Sequence, residues 1–166
     1  MRVILEGSDG SGKSTLVRYL QGKGLDMIHS SSDTKNDLEY HLDILSNDNT
    51  VFDRCNLGEI VYPAIYGRTP KMTIEEQLQF MNYCNVRNIP YIIFYASDFN
   101  TLKERLFKRG DTQQVLDNAE KINLAFKLLA MIFSKMYSNV YALDISKEND
   151  QIAFFENIIK DFDKGE

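Results

Sequence analysis

The sequence is poor in the residues that cross-link chains and bind zinc. Its 166 residues include two cysteines, Cys55 and Cys84, and two histidines, His29 and His41. Two cysteines this far apart, without paired ligand spacing, exclude a disulfide framework and a zinc site and leave free thiols. The isolated histidines read as structural groups, buried with a partner or exposed, because acid–base work needs named partners. No apolar run approaches a membrane span, and the chain enters its first strand directly after Met1, so neither a signal peptide nor a membrane partner is expected and a cytoplasmic location follows. Cations are also in deficit, with 19 Lys and Arg against 24 Asp and Glu for a net charge of −5. A protein that grips nucleic acid backbone needs clustered Lys and Arg, so nucleic acid is not the expected partner, although a local basic cleft stays open.

What is present is the composition of an ordinary globular protein, 43 % hydrophobic and 26 % charged, at a length that suits one domain over residues 1–166. Glycine is concentrated near the start. The apolar strand Val3-Ile4-Leu5 runs into Gly7-Ser8-Asp9-Gly10-Ser11-Gly12-Lys13-Ser14-Thr15, a full match to GxxxxGK[ST] followed by an amphipathic run. In such a loop Gly7, Gly10 and Gly12 let backbone N–H groups approach phosphate oxygens, and the helix opening near Lys13 adds its positive end. Lys13 then reaches the β- and γ-phosphates and the Ser14 hydroxyl coordinates Mg²⁺, so residues 7–15 read as a site for a nucleoside triphosphate.

Further along, Leu16, Val17 and Leu20 mark the buried side of the first helix, which Gly22 and Gly24 stop. Met27-Ile28-His29 makes a weak strand, followed by a Ser-rich loop and a helix carrying Leu38, His41, Leu42 and Leu45. Thr50-Val51-Phe52 is a third strand ending in Asp53-Arg54. Thr73 with Glu76 is a capping box that opens a helix to about Arg87, and Tyr91-Ile92-Ile93-Phe94-Tyr95 suits a strand buried on both faces. A helix from about Asn100 ends at Gly110. Ile122, Phe126, Leu129, Phe133 and Met136 stripe a long helix, Val140 to Leu143 is the last strand, and Phe155, Ile158, Ile159 and Phe162 line a closing helix. Five alternations of strand and helix predict an α/β fold of the P-loop NTPase kind, a five-stranded mainly parallel sheet flanked by helices on both faces. Its ligand belongs at the carboxyl ends of the strands, where Gly7, Asp53 and the residues after Tyr95 gather. Asp53 then offers a metal-holding or proton-accepting carboxylate and Arg54 a cation for phosphate, with a surface salt bridge as the plainer alternative.

The stretch Glu6 to Thr15 closely resembles the EGxDGxGKST loop of thymidylate kinases. Asp53-Arg54-Cys55-Asn56-Leu57-Gly58-Glu59, with Val61-Tyr62 and Tyr66-Gly67-Arg68, is similar to their DR(Y/x)xxS…Y segment. Leu102…Arg105-Leu106…Arg109-Gly110-Asp111 and Leu143-Asp144-Ile145-Ser146 resemble that family's lid and adenine-side segments. The resemblance implies an ATP- and Mg²⁺-dependent kinase with Lys13, Asp53, Arg54 and Arg109 at the reacting phosphoryl group. Ser14 and Asp53 would serve the metal, and Gly7 to Thr15 with Arg105 would hold ATP. Asp9, Arg54, Tyr62, Tyr66 and Arg68 would hold the acceptor, with core packing as the alternative for the two tyrosines and a solvated basic face for the two helix arginines. Gly110 to Gln114 would form a short lid, around residues 109–115, and a homodimer is implied.

The chain also departs from that family. It is short, Glu59 stands where those kinases carry a small polar residue, and Gln77, Gln79, Asn82 and Asn85 stand where relatives have their base-recognition set. In these respects it resembles compact bacteriophage members, and the implied acceptor is dTMP or a related, even modified, pyrimidine deoxynucleotide. A deoxynucleoside, a modified base or a nucleic acid end is the alternative acceptor. A non-catalytic nucleotide-binding protein is the alternative outside enzymes, and the absence of an NKxD segment disfavours a GTPase.

Overall fold

The computed structural model describes residues 1–163 apart from Thr112 and Asn149, without the side chains of Gln114 and of residues 161–163. Thr112 of the expected lid and the Phe162 side chain of the expected closing stripe therefore lie outside the described residues. Five strands, β1 (Arg2–Gly7), β2 (Asp26–His29), β3 (Thr50–Asp53), β4 (Tyr91–Tyr95) and β5 (Val140–Asp144), form one sheet in the order β2-β3-β1-β4-β5. Every pair is parallel. Among the described residues seven helices connect and close it: α1 (Lys13–Gly22), α2 (Leu38–Ile44), α3 (Gly58–Tyr66), α4 (Ile74–Val86), α5 (Phe99–Arg109), α6 (Gln113–Met136) and α7 (Gln151–Asp163). None of the described helices is long and apolar enough to cross a membrane.

Strand side chains alternate between two cores. Ile4, Phe52, Tyr91 and Ile93 point to one that holds Val61, Phe80, Met81 and Phe126 from α3, α4 and α6. Val3, Leu5, Val51, Ile92 and Phe94 point to the other, built with Leu16 and Leu20 of α1, Leu102 and Leu106 of α5 and Phe155 and Ile158 of α7. Helices thus cover both faces, and the continuous apolar run of β4 has the burial its composition requires. His41 and the two cysteines belong to this interior. Burial lowers the His41 pKa to about 4 and pushes the Cys84 thiol up to about 12, and both thiols are free.

Several boundaries follow local chemistry. In α4 Glu76 N donates to Thr73 Oγ1 (3.2 Å) and Thr73 N donates to Glu76 Oε2 (2.7 Å), the expected capping box. Helix α5 begins after Asp98, which accepts from Asn100 N, and ends at Gly110 with φ 76°. One feature differs from the sequence expectation, and one helix has no counterpart in it. Gln113 already belongs to α6, which shortens the connection that was read as a lid. Residues 58–66 form a helix although Pro63 stands inside it and Gly58 opens it, both poor helix residues. Its start is secured from elsewhere: Glu6 Oε1 on β1 accepts from the backbone N–H groups of Cys55 (2.9 Å), Leu57 (2.9 Å) and Gly58 (3.3 Å). A buried carboxylate thereby takes up donors that a helix N-terminus otherwise leaves free.

Candidate active site

The loop after β1 is held by close packing. A Cβ at Gly7 would sit 2.5 Å from the Phe94 carbonyl oxygen of β4, and Gly12 takes φ 94° at the head of α1. Inside the loop Lys13 is buried, and its Nζ donates to the carbonyl oxygens of Gly7 (2.8 Å) and Ser8 (2.9 Å). Burial, reinforced by the neighbouring Arg54 charge, lowers its pKa to about 8. Around it opens a cleft of about 620 Å³. Asp9, Gly10, Ser11, Gly12, Ser14 and Thr15 form its floor, and Arg54, just after β3, reaches it together with Arg105 and Arg109 of α5. Gly7, anchored under the loop, is set back from this lining.

Besides His29, two residues that line the cleft escaped the sequence reading. Arg18 lies four positions after Ser14, one turn along α1, and that spacing was the available signal. Gln151, at the start of α7, is the described residue from that end of the chain that lines the cleft. Asp144 and Ser146 of the segment read as adenine-side are engaged elsewhere, where Asp144 Oδ1 accepts from Ser97 N (2.9 Å) and Ser146 Oγ from Asp98 N (3.0 Å). They tie β5 to the turn after β4.

At the end of β3 the backbone turns sharply because Arg54 takes φ 70°, a left-handed conformation uncommon outside glycine. The turn is pinned by Arg54 N donating to Leu5 O (2.9 Å), and it sends two neighbouring side chains to separate tasks. The Arg54 guanidinium donates to Asp9 Oδ1 at one end and to the Tyr62 hydroxyl at the other. Burial works against its charge, but Tyr62, Asp9, Glu6 and Asp53 outweigh burial and raise its pKa. Asp53 Oδ2 lies 3.0 Å from His29 Nδ1, while Asp53 Oδ1 is buried without a partner among the described residues. His29 therefore stands in the site rather than apart from it. Its neighbour on the adjacent strand, residue 53 opposite residue 29, is set by β2–β3 register and has no local sequence signal.

Asp9, His29 and Arg54 also line a second cleft of about 290 Å³. Its other walls are Ser30, Ser31, Ser32 and Asn36 after β2, and Gly58, Glu59, Tyr62, Tyr66 and Arg68 of α3 and the turn that follows. The Tyr62 and Tyr66 rings lie nearly parallel, 6.4 Å between centroids and 13° between planes, and Tyr62 also packs edge-on against Phe126. Tyr62 thus serves core and cleft together. The α4 residues do not reach this cleft: Gln77 is buried, accepting from Asn56 Nδ2 (2.7 Å) and donating to Asn56 O (3.0 Å), and Gln79, Asn82 and Asn85 are not among the lining residues. Arg109, half-exposed, forks onto Asp111 with both contacts at 2.7 Å, and Asp111 raises its pKa.

A parallel sheet in this order, with a glycine-rich loop between β1 and α1 and a cation-lined cleft at the strand ends, is an α/β fold of the P-loop NTPase kind. No protein-family model matches the chain, and no curated protein matches it. Among solved structures the chain is similar to the YorR protein from Bacillus subtilis in complex with phosphorylated GDP. The TM-score is 0.78 at 20 % identity, over 100 % of this chain and 99 % of that one. It is also similar to deoxyadenosine kinase from M. mycoides with bound dATP, at TM-score 0.65 and 16 % identity over 96 % of this chain and 99 % of that one. The same kinase with products dCMP and a flexible dCDP gives TM-score 0.65 and 16 % identity, over 98 % and 100 %. At these identities the fold is what is shared.

Proposed function

We propose that the protein transfers the γ-phosphoryl group of ATP to a deoxynucleoside monophosphate. The observation that carries this reading is the pair of clefts meeting at Asp9, His29 and Arg54, one lined by Lys13, Arg18, Arg105 and Arg109 and the other by aromatic and polar side chains. A polyanion suits the first and a flat base with a sugar suits the second. Transfer between phosphates is chiefly positioning and charge neutralisation, which these residues supply. Arg54 and Arg109 neutralise the moving group, Arg105 covers the adenine and Gly110–Asp111 act as a short lid.

Among the described residues no group of three or more His, Cys, Asp or Glu side chains is arranged to hold a metal alone. That fits Mg²⁺, which binds through one or two protein oxygens, water and substrate phosphates. The Ser14 hydroxyl and the buried, unpartnered Asp53 Oδ1 are suited to its shell. When bound, Mg²⁺ neutralises charge on the β- and γ-phosphates.

The thymidylate acceptor, dTMP or a modified pyrimidine relative, rests on the sequence resemblance. A deoxynucleoside acceptor is the second reading, favoured by an Arg54 whose two ends are already engaged and by the deoxyadenosine kinase of the same fold. The deciding experiment follows ATP consumption with Mg²⁺ against a panel of nucleosides and monophosphates. Absence of turnover with every acceptor, alongside tight ATP binding, would refute the kinase reading in favour of a non-catalytic nucleotide-binding protein.

Two smaller effects follow. Bound triphosphate favours the protonated Lys13, so its pKa in the complex lies above the free value of about 8. Between the two values binding takes up a proton, and ATP affinity falls as pH rises, by up to about tenfold per pH unit. Calorimetry in buffers of different ionisation enthalpy detects this as a buffer-dependent heat above about pH 8 and none near pH 6. Tyr66, at the rim of the second cleft, is a wall for the acceptor alone. Tyr66→Ala should raise the acceptor KM about tenfold and move the ATP Kd by less than about twofold.

A further inference from the structure

The second cleft contains a buried acid that the phosphoryl-transfer reading leaves unused. Glu59, in the first turn of α3, is 5 % exposed and lines the cleft. Its carboxylate has two protein donors, Asn36 Nδ2 at 3.3 Å on Oε1 and the Lys71 backbone N–H at 3.1 Å on Oε2. A carboxylate offers about four lone-pair sites, so each oxygen keeps accepting capacity. Among the described residues no Lys or Arg side chain forms an ion pair with it. Burying a carboxylate without a cation is costly unless further donors arrive.

The surroundings hold that carboxylate in place. The Asn36 amide cannot turn around, because its Nδ2 also donates to Ser31 O (2.6 Å) while its Oδ1 accepts from Thr34 Oγ1. Lys71 Nζ donates to Ser32 O (2.9 Å) and Thr34 O, closing the 31–36 loop over α3. Beside this clamp Ser30, 4 % exposed and lining the same cleft, carries a buried hydroxyl with no partner among the described residues. A fixed acceptor and a free buried hydroxyl in one cleft form a polar reader waiting for a complementary edge.

We infer that Glu59 makes this cleft selective for acceptors whose base carries an exocyclic amino group, cytosine, adenine or guanine, and sets it against thymine and uracil. An amino group donates to the carboxylate, with the Ser30 hydroxyl free to donate to or accept from a neighbouring ring atom. Thymine can offer the carboxylate only its ring N–H, which is flanked by two carbonyl oxygens, so one carbonyl oxygen is brought against the carboxylate's other oxygen and the two acceptors are left unpaired and repelling. The inference rests on the second cleft holding the acceptor, and it replaces thymine there with an amino-bearing base.

The test compares kcat/KM for dCMP, dAMP, dGMP and dTMP in wild type and Glu59→Gln, with the Kd of each monophosphate from calorimetry. Wild type should prefer at least one amino-bearing acceptor over dTMP by about 100-fold. Glu59→Gln, which puts an N–H₂ where an acceptor stood, should shift that ratio towards dTMP by about tenfold or more. A wild-type preference for dTMP, or unchanged ratios in a folded Glu59→Gln, overturns the inference. If no acceptor turns over, the kinase reading fails and the Kd ratios decide this one by the same criteria. Should Glu59→Gln misfold, Ser30→Ala takes its place: about fivefold weaker binding of the preferred monophosphate is expected, and unchanged binding counts against the site.

Discussion

Lys13→Ala should lower kcat by about 10³-fold or more, with the fold intact. The side chain is buried in the loop, donates to the Gly7 and Ser8 carbonyl oxygens, and has its pKa depressed to about 8 by burial. A lysine whose folded pKa lies below its ordinary value is a charge that the fold holds at a cost. Its unfavourable contribution is full at neutral pH and fades as pH rises from about 8 towards the ordinary value of 10.5. Removing it takes away the group proposed to act on phosphate and spares the fold that cost, so the variant's melting temperature should match or exceed that of wild type. Circular dichroism melts and single-turnover assays measure the two sides separately. A variant within about tenfold of wild-type kcat would show that Lys13 does not act on the transferring group.

Arg54→Ala should lower acceptor kcat/KM by about 10³-fold and leave the ATP Kd within about threefold. Arg54 is where the two clefts meet, and its guanidinium spans Asp9 on the loop and Tyr62 on α3. Its charge is stabilised by four surrounding groups despite burial, so it is a permanent cation at the junction. Arg54→Lys should recover less than about a tenth of the loss, because an ammonium cannot span two partners with a rigid fork. Wild-type acceptor kinetics in Arg54→Ala would remove the residue from the site and leave the second cleft without its phosphate contact.

The features legible in the sequence are those whose causes lie within a few residues. The loop from Gly7 to Thr15, the capping box of Thr73 and Glu76, the apolar run of β4 and Asp53 at a strand end all depend on local spacing. Helix α3 does not. Its own residues, with Gly58 and Pro63, argue for a loop, and its N-terminal donors are satisfied by Glu6, about fifty positions earlier. Separation along the chain also left the role of Glu59 open, since its partners come from residues 36 and 71, and it hid His29, which meets Asp53 only through the register of β2 against β3.

By itself, then, the sequence determined the loop proposed to hold phosphate, because a glycine run and a helix start build it from contiguous backbone. Tertiary structure alone decided what lies opposite it. The second cleft is assembled from β2, β3 and α3, and its chemistry depends on buried polar groups that find each other only after the sheet has formed.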